Sequence, residues 1–162
     1  MHKINIIDRK IVDLLMEDGR MQAAEIARRI GDVSERVVRY RIENLVEQDV
    51  IQVRAIINPK EVGMNIVAEV WLEVESDSIM AVAQKVAEFD NVTYVACSIG
   101  EADVNLQLLA PDTAEVYRFV TEVLGRVPGV RKTTTAIVPV VIKDMFQWRI
   151  PWLMASGAGK FD

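Results

Sequence analysis

Residues 23–46 read AAEIARRIGDVSERVVRYRIENLV, and their spacing decides how the N-terminal part of the chain folds. Ala23, Ile26, Ala27 and Ile30 recur at helical intervals and form one apolar stripe. Gly31 ends that stripe, because glycine takes the left-handed conformation that closes a helix. Ser34 then offers a side-chain oxygen to the free N–H groups of a new helix, whose own stripe is Val38, Ile42, Leu45 and Val46. A short helix, a tight turn and a longer capped helix together make a helix-turn-helix plan. Upstream, Ile7, Ile11, Leu14 and Leu15 predict a preceding helix, with Asp8 as its cap and Gly19 as its stop.

The outer side of the third helix carries Arg36, Tyr40, Glu43 and Glu47, with Arg39 on its flank. A recognition helix meets bases with its N-terminal part, where backbone N–H groups also face phosphates. Ser34, Glu35, Arg36, Arg39 and Tyr40 occupy that part. Arginine can pair in two-pronged fashion with guanine O6 and N7, so Arg36 and Arg39 are the candidate base readers. Tyr40 suits a phosphate or a thymine methyl, and Glu35 a cytosine amino group or the helix N-terminus. Arg28 and Arg29 are candidate phosphate contacts. The competing reading is a small helical packing module with a charged, solvated face.

Charge is distributed to match. The chain of 162 residues has a formal net charge of −5 and a single histidine. Arg28, Arg29, Arg36, Arg39 and Arg41 nevertheless fall close together, whereas Glu69, Glu73, Glu75, Glu101 and Asp103 make the later sequence acidic. One basic domain can bind phosphates while the remainder repels them. No apolar run reaches the ~18 residues that span a bilayer, and the start lacks a signal-peptide core. A cytoplasmic protein without membrane attachment is expected. Cys97 is the only cysteine, so neither a disulfide framework nor a cysteine zinc site is expected within one chain, and no cofactor or metal is called for.

Beyond the helices, residues 50–59 (VIQVRAIINP) are β-rich and predict a strand-like connector that another chain could pair. From residue 66 onward Ala68, Val70, Leu72 and Val74 alternate with Glu69, Trp71 and Glu73, the pattern of a half-buried strand. A helix follows on Ile79, Val82, Ala83, Val86 and Phe89, then strands over 92–99 and 104–109 joined by Gly100-Glu101-Ala102-Asp103. Asp112 opens a second helix that buries Val116, Phe119, Val120, Val123 and Leu124, Pro128-Gly129 breaks the chain, and residues 131–142 form the last strand. Pro139 inside that strand predicts a sheet edge, which the order 4-1-3-2 of a ferredoxin-like βαββαβ sheet supplies. The fold class is therefore α+β. Its expected parts are 1–49 for DNA binding, 50–63 as hinge, 64–143 for ligand binding and oligomerisation, and 144–162 as an extension docking on a neighbouring subunit.

Several short motifs, in order, resemble the Lrp/AsnC (leucine-responsive, feast/famine) family of transcription regulators. They are Ile7-Asp8-Arg9-Lys10-Ile11, Asp18-Gly19-Arg20, Arg41-Ile42 with Leu45, Val50-Ile51, Asn58-Pro59, Val62-Gly63, Gly100, Asp103 and Pro128-Gly129-Val130. The resemblance spans residues 4–143. It implies a winged-helix-like DNA-binding domain, a βαββαβ sensing domain, dimers that assemble further (often to octamers), and an amino-acid effector. Three features depart from the family pattern: a longer turn at Gly31-Asp32-Val33-Ser34, Ala102 where an aromatic residue is frequent, and the extension past Lys143 with its apolar Met145, Phe146, Trp148, Ile150, Trp152, Leu153 and Met154. Gly157-Ala158-Gly159-Lys160 reads as a flexible end rather than a phosphate loop, since no helix follows it.

An amino acid presents an ammonium and a carboxylate, so its pocket needs acceptors, donors and close backbone approach. Gly100 permits the approach, Glu101 and Asp103 are acceptors, and Thr133 and Thr135 offer hydroxyls from one strand face. In similar proteins that strand reaches the pocket from an adjacent subunit. A solvated hairpin turn is the competing reading. Two other functions compete with a DNA-binding, amino-acid-responsive regulator. One is an enzyme of the siroheme decarboxylase type, which shares this two-domain organisation. Histidine and arginine in the second domain would be expected to serve it, yet the sole histidine is His2 and the arginines are Arg118, Arg126, Arg131 and Arg149. No Ser/His/Asp, Cys/His or paired-carboxylate constellation is evident, so no enzyme is expected. The other is an amino-acid sensor without DNA binding.

Overall fold

The computed structural model describes residues 4–151, so the expectations placed on His2, Trp152, Leu153, Met154 and residues 157–160 lie outside the described residues. The described residues divide into two compact units, 4–56 with 143–151, and 57–142.

The first unit holds three helices, α1 (Ile6–Glu17), α2 (Ala23–Ile30) and α3 (Glu35–Glu47). Asn5, not Asp8, caps α1: its side chain accepts from the N–H groups of Ile7 and Asp8, while the Asp8 carboxylate accepts from the Asn5 N–H. Asp8 is therefore the reciprocal member of a capping box. It is only 2% exposed, and its charge is met by Arg41, whose Nη1 lies 2.8 Å away. The helix ends at Glu17, short of Gly19. Gly31 closes α2 with φ +96°.

Two apolar clusters hold the helices. One gathers Ile11, Ile26, Ala27 and Val38, the other Val12, Leu45 and Ile150. Val46 is exposed rather than part of the stripe. At about 100° per residue it sits some 80° round from Val38, whereas Ile42 and Leu45 stay close to Val38's line. The expected docking of the extension on a neighbouring subunit is answered otherwise for Ile150, which enters its own chain's helical unit. Met145, Phe146 and Trp148, before it, are exposed.

Residues 51–58 form no strand, contrary to expectation. Within one chain this β-rich segment finds no ladder partner among the described residues, and its ends are tied instead, Ile51 N–H donating to Leu45 O and Asn58 O accepting from Glu61 N–H. Val53, Ile56 and Ile57 are accordingly exposed.

The second unit is a four-stranded antiparallel sheet of β1 (Ile66–Val74), β2 (Val92–Cys97), β3 (Val104–Ala110) and β4 (Val130–Val138), in the order β2-β3-β1-β4. This is the expected βαββαβ arrangement with β4 at an edge. Helices α4 (Ile79–Ala87) and α5 (Thr113–Arg118) belong to it, and α5 continues through a π turn at Phe119–Val123 and a 3-10 turn at Leu124–Arg126. Alternation on β1 and β3 puts Ala68, Val70, Leu72, Val104, Leu106 and Leu108 into a core shared with Val82, Val86, Val116 and Leu124. Gly129 has φ +94°, and a Cβ there would lie 2.7 Å from the Ser78 Cβ, so the last turn needs glycine twice over. β4 stops at Val138, so Pro139 ends the strand instead of lying within it. β2 likewise stops at Cys97 rather than residue 99.

Candidate functional site

On α3 the buried Val38 and Leu45 face the clusters, which turns the opposite side outward. Ser34 caps the helix, its Oγ accepting from the Val37 N–H at 3.3 Å. Tyr40 is 66% exposed. Arg36 is exposed and has no partner among the described residues, whereas Arg39 is paired with Glu35 at 2.6 Å. The expected base-reading face is thus on the surface, with one arginine free and one engaged.

Arg28 and Arg29, the candidate phosphate contacts, both engage Glu25. Arg28 donates to its two oxygens at 2.8 and 2.7 Å, and Arg29 Nε donates at 2.9 Å. These hydrogen bonds and charges hold the Glu25 carboxyl at about 2, far below the ordinary range. Sequence reasoning passed over Glu25, although its spacing of three and four residues from the arginines was a visible signal. Glu17 adds a second partner for Arg29 at 3.3 Å.

The 98–103 turn is built from its own polar groups. Ser98 N–H donates to Asp103 O at 2.9 Å, and Ser98 Oγ donates to Ala102 O at 2.8 Å. Gly100 is exposed, with open space where a side chain would stand, and Glu101 is exposed beside it. Asp103 has work the sequence did not foretell. Its Oδ2 accepts from the Val74 N–H at 2.7 Å, where the β1–β4 register shifts, and Arg131 Nη2 stands 4.0 Å from the same oxygen.

Thr133 and Thr135 oppose Leu72 and Val70 and so share the helix-covered face of the sheet. Within one protomer Thr133 lies two strands from Val104 at the base of the turn, about 10 Å by strand spacing. One chain therefore places turn and hydroxyls at the same end of the sheet without closing them together. An open depression of about 560 Å³ elsewhere on this unit is lined by Met64, Asn91, Asp112, Arg118 and Phe119 among others, none of them an expected ligand residue.

Residues 4–46 match the AsnC-type helix-turn-helix domain, and residues 67–148 match the Lrp/AsnC ligand binding domain. This chain belongs to the Lrp/AsnC family. An uncharacterized HTH-type transcriptional regulator of Pyrococcus horikoshii is 37% identical over 142 residues, covering 87% of this chain and 89% of its own. In fold the chain is similar to E. coli AsnC, with a TM-score of 0.79 at 20% identity over 92% of this chain and 99% of that one. It is equally similar to a Neisseria meningitidis transcriptional regulator solved as an L-Met complex, with a TM-score of 0.80 at 24% identity over 87% and 93%. The Lrp/AsnC chain described here is a transcriptional regulator with a helix-turn-helix and a ligand-binding domain. Among its described residues no helix is long and apolar enough to cross a membrane.

Proposed function

We propose that this regulator reads double-stranded DNA with α3 and adjusts that binding to an amino acid held at the 98–103 turn. The observation that carries the DNA half is the outward face of α3: Arg36 unpartnered at its N-terminal end, Tyr40 beside it, and Arg39 within reach. Arg36 reads a base, Arg28 and Arg29 neutralise phosphates, and Arg39 and Tyr40 add contacts once DNA competes with Glu35. Duplexes selected from random sequence by the purified protein test this. Arg36→Ala should cost about 1–3 kcal/mol on the selected duplex and relax one base position. Arg28→Ala should weaken all duplexes and flatten the salt dependence. Unchanged affinity and preference in Arg36→Ala would remove α3 as the reader.

The ligand half is supported by the matched ligand-binding domain and by the fold shared with the L-Met-bound Neisseria protein. Gly100 gives backbone access, Glu101 and the second Asp103 oxygen accept from an ammonium, and Thr133 and Thr135 of an adjacent subunit donate. The chain acts as a dimer or a larger assembly, a reading supported by the uncovered Val53, Ile56 and Ile57 and by the β4 edge. Calorimetry with the twenty amino acids should find a binder, and light scattering should find no monomer at micromolar concentration. Heat from an amino acid without any selected duplex would favour a sensor that does not bind DNA.

A further inference from the structure

Helix α3 is held at two separate points. Towards its N-terminal half, Val38 is locked into the cluster of Ile11, Ile26 and Ala27. At its C-terminal end, Leu45 packs with Val12 of α1 and with Ile150, which is 7% exposed. Ile150 comes from the far end of the sequence and is fastened there by polar contacts on both sides. Arg9 Nε donates to the Ile150 carbonyl at 2.9 Å, and Arg149 Nη1 lies 3.4 Å from Asp13 Oδ1. That Asp13 oxygen is buried and accepts no hydrogen bond, so the Arg149 charge compensates its burial. Asp144 and Gln147 cap each other's backbone to make a defined turn just before the docked residue.

We propose that residues 144–150 are a positioning segment for the DNA-reading helix, in which Ile150 fixes the tilt of α3 by completing the Val12–Leu45 cluster. The proposal rests on the reading of α3 as the DNA contact. If the Leu45 end loosens, the helix pivots about the locked Val38, and a tilt of about 10° carries the tip of the Arg36 side chain, about 10 Å away across the helix, by about 2 Å. A shift of that size breaks a base hydrogen bond, whose donor and acceptor must lie within about 3.2 Å. Phosphate contacts tolerate it better, because long side chains re-aim and carry no base information.

Ile150→Ala tests the role, with Ile150→Leu as the conservative variant and far-UV circular dichroism as the check on folding. With helicity kept, Ile150→Ala should lose about tenfold in affinity for the selected duplex while random-sequence duplex stays within about twofold, and Ile150→Leu should restore the ratio. An unchanged ratio, or both affinities falling together with lost helicity, would overturn the proposal. If the parent selects no duplex, the DNA reading fails by itself, and hydrogen exchange decides the packing. Faster exchange of the Leu45 amide in Ile150→Ala, with that of Val38 unchanged, supports the second anchor point, and equal rates for Leu45 overturn it.

Discussion

The 57–142 unit and the helix-turn-helix unit bury apolar side chains in different ways. The sheet unit draws on β1, β3, α4 and α5, elements consecutive within one stretch of chain, and gathers its buried residues into one cluster. The helical unit splits its buried residues into two small clusters and takes a member of the second from residue 150. Their surfaces differ too. On the helical unit Glu25 and Glu35 engage the arginines proposed to contact DNA, while the sheet unit's Asp103 is turned inward to a backbone N–H. The difference teaches that the 57–142 unit is self-contained and the helical unit is assembled, and substitutions in each unit should show it.

The largest effect is expected in the sheet core. Leu106 is fully buried, and Leu106→Ala should destabilise the 57–142 unit by about 3 kcal/mol, with the cavity adding to the lost transfer energy. Urea unfolding followed by Trp71 fluorescence, with Trp148 and Trp152 replaced by Phe, checks this, and a change below about 1 kcal/mol would show a core that collapses readily. In the helical unit, Arg41→Ala leaves Asp8 buried without its cation. Since Arg41 is itself part-exposed, about 2 kcal/mol is expected, read as earlier loss of helical circular dichroism. If Leu106→Ala lowers the stability of both units equally, they unfold as one body and the contrast collapses.

Asp103 sharpens the contrast at smaller scale. Asp103→Asn keeps an acceptor for Val74 but removes the charge, so stability should fall by less than about 1 kcal/mol while amino-acid affinity falls about tenfold. Asp103→Ala should lose both, and equal losses in the two variants would make the residue purely structural. The smallest effect is electrostatic. The carboxyl of Glu25 drops from its ordinary 4.5 to about 2 through Arg28 and Arg29. A lowered folded value means that the pairing contributes fully above pH 4.5 and is lost as pH falls through about 2. A carboxyl titration by NMR should find that midpoint, and Arg28→Ala should raise it; a parent midpoint near 4.5 would mean the arginines are free for phosphate.

Much of this was legible because periodicity is local. The β1 alternation, the stripes of α2 and α3, the cap at Ser34 and the Pro128-Gly129 break each announce themselves within a few residues, whereas Pro139 lies past the edge strand and its argument from within the strand does not apply. What stayed hidden depends on distance along the chain or on choices between similar residues. Asn5 and Asp8 are both good caps, and only the part-exposed partner Arg41, far off in sequence, shows why the aspartate sits inside. Residues 51–58 find no ladder partner among the described residues, and the proposed second wall, Thr133 and Thr135, would need another copy of the chain to reach the 98–103 turn, which no local pattern announces. Ile150 looked like one apolar residue among many in an extension, because nothing local distinguishes it from Trp148, which is 61% exposed.

That the helical unit owns both residues 4–56 and residues 143–151 sets an order of events during synthesis. A ribosome adds roughly 5–20 residues per second, so α1 and α3 emerge about 5–20 s before residue 150 does. In that interval the sheet unit can close on its own, but Val12 and Leu45 wait with a side of their cluster open to water. The nascent regulator passes through a stage in which its sensor is finished and its reader is not. A chain released after β4 but before Ile150 would keep the sheet unit's core and leave the base of α3 unanchored.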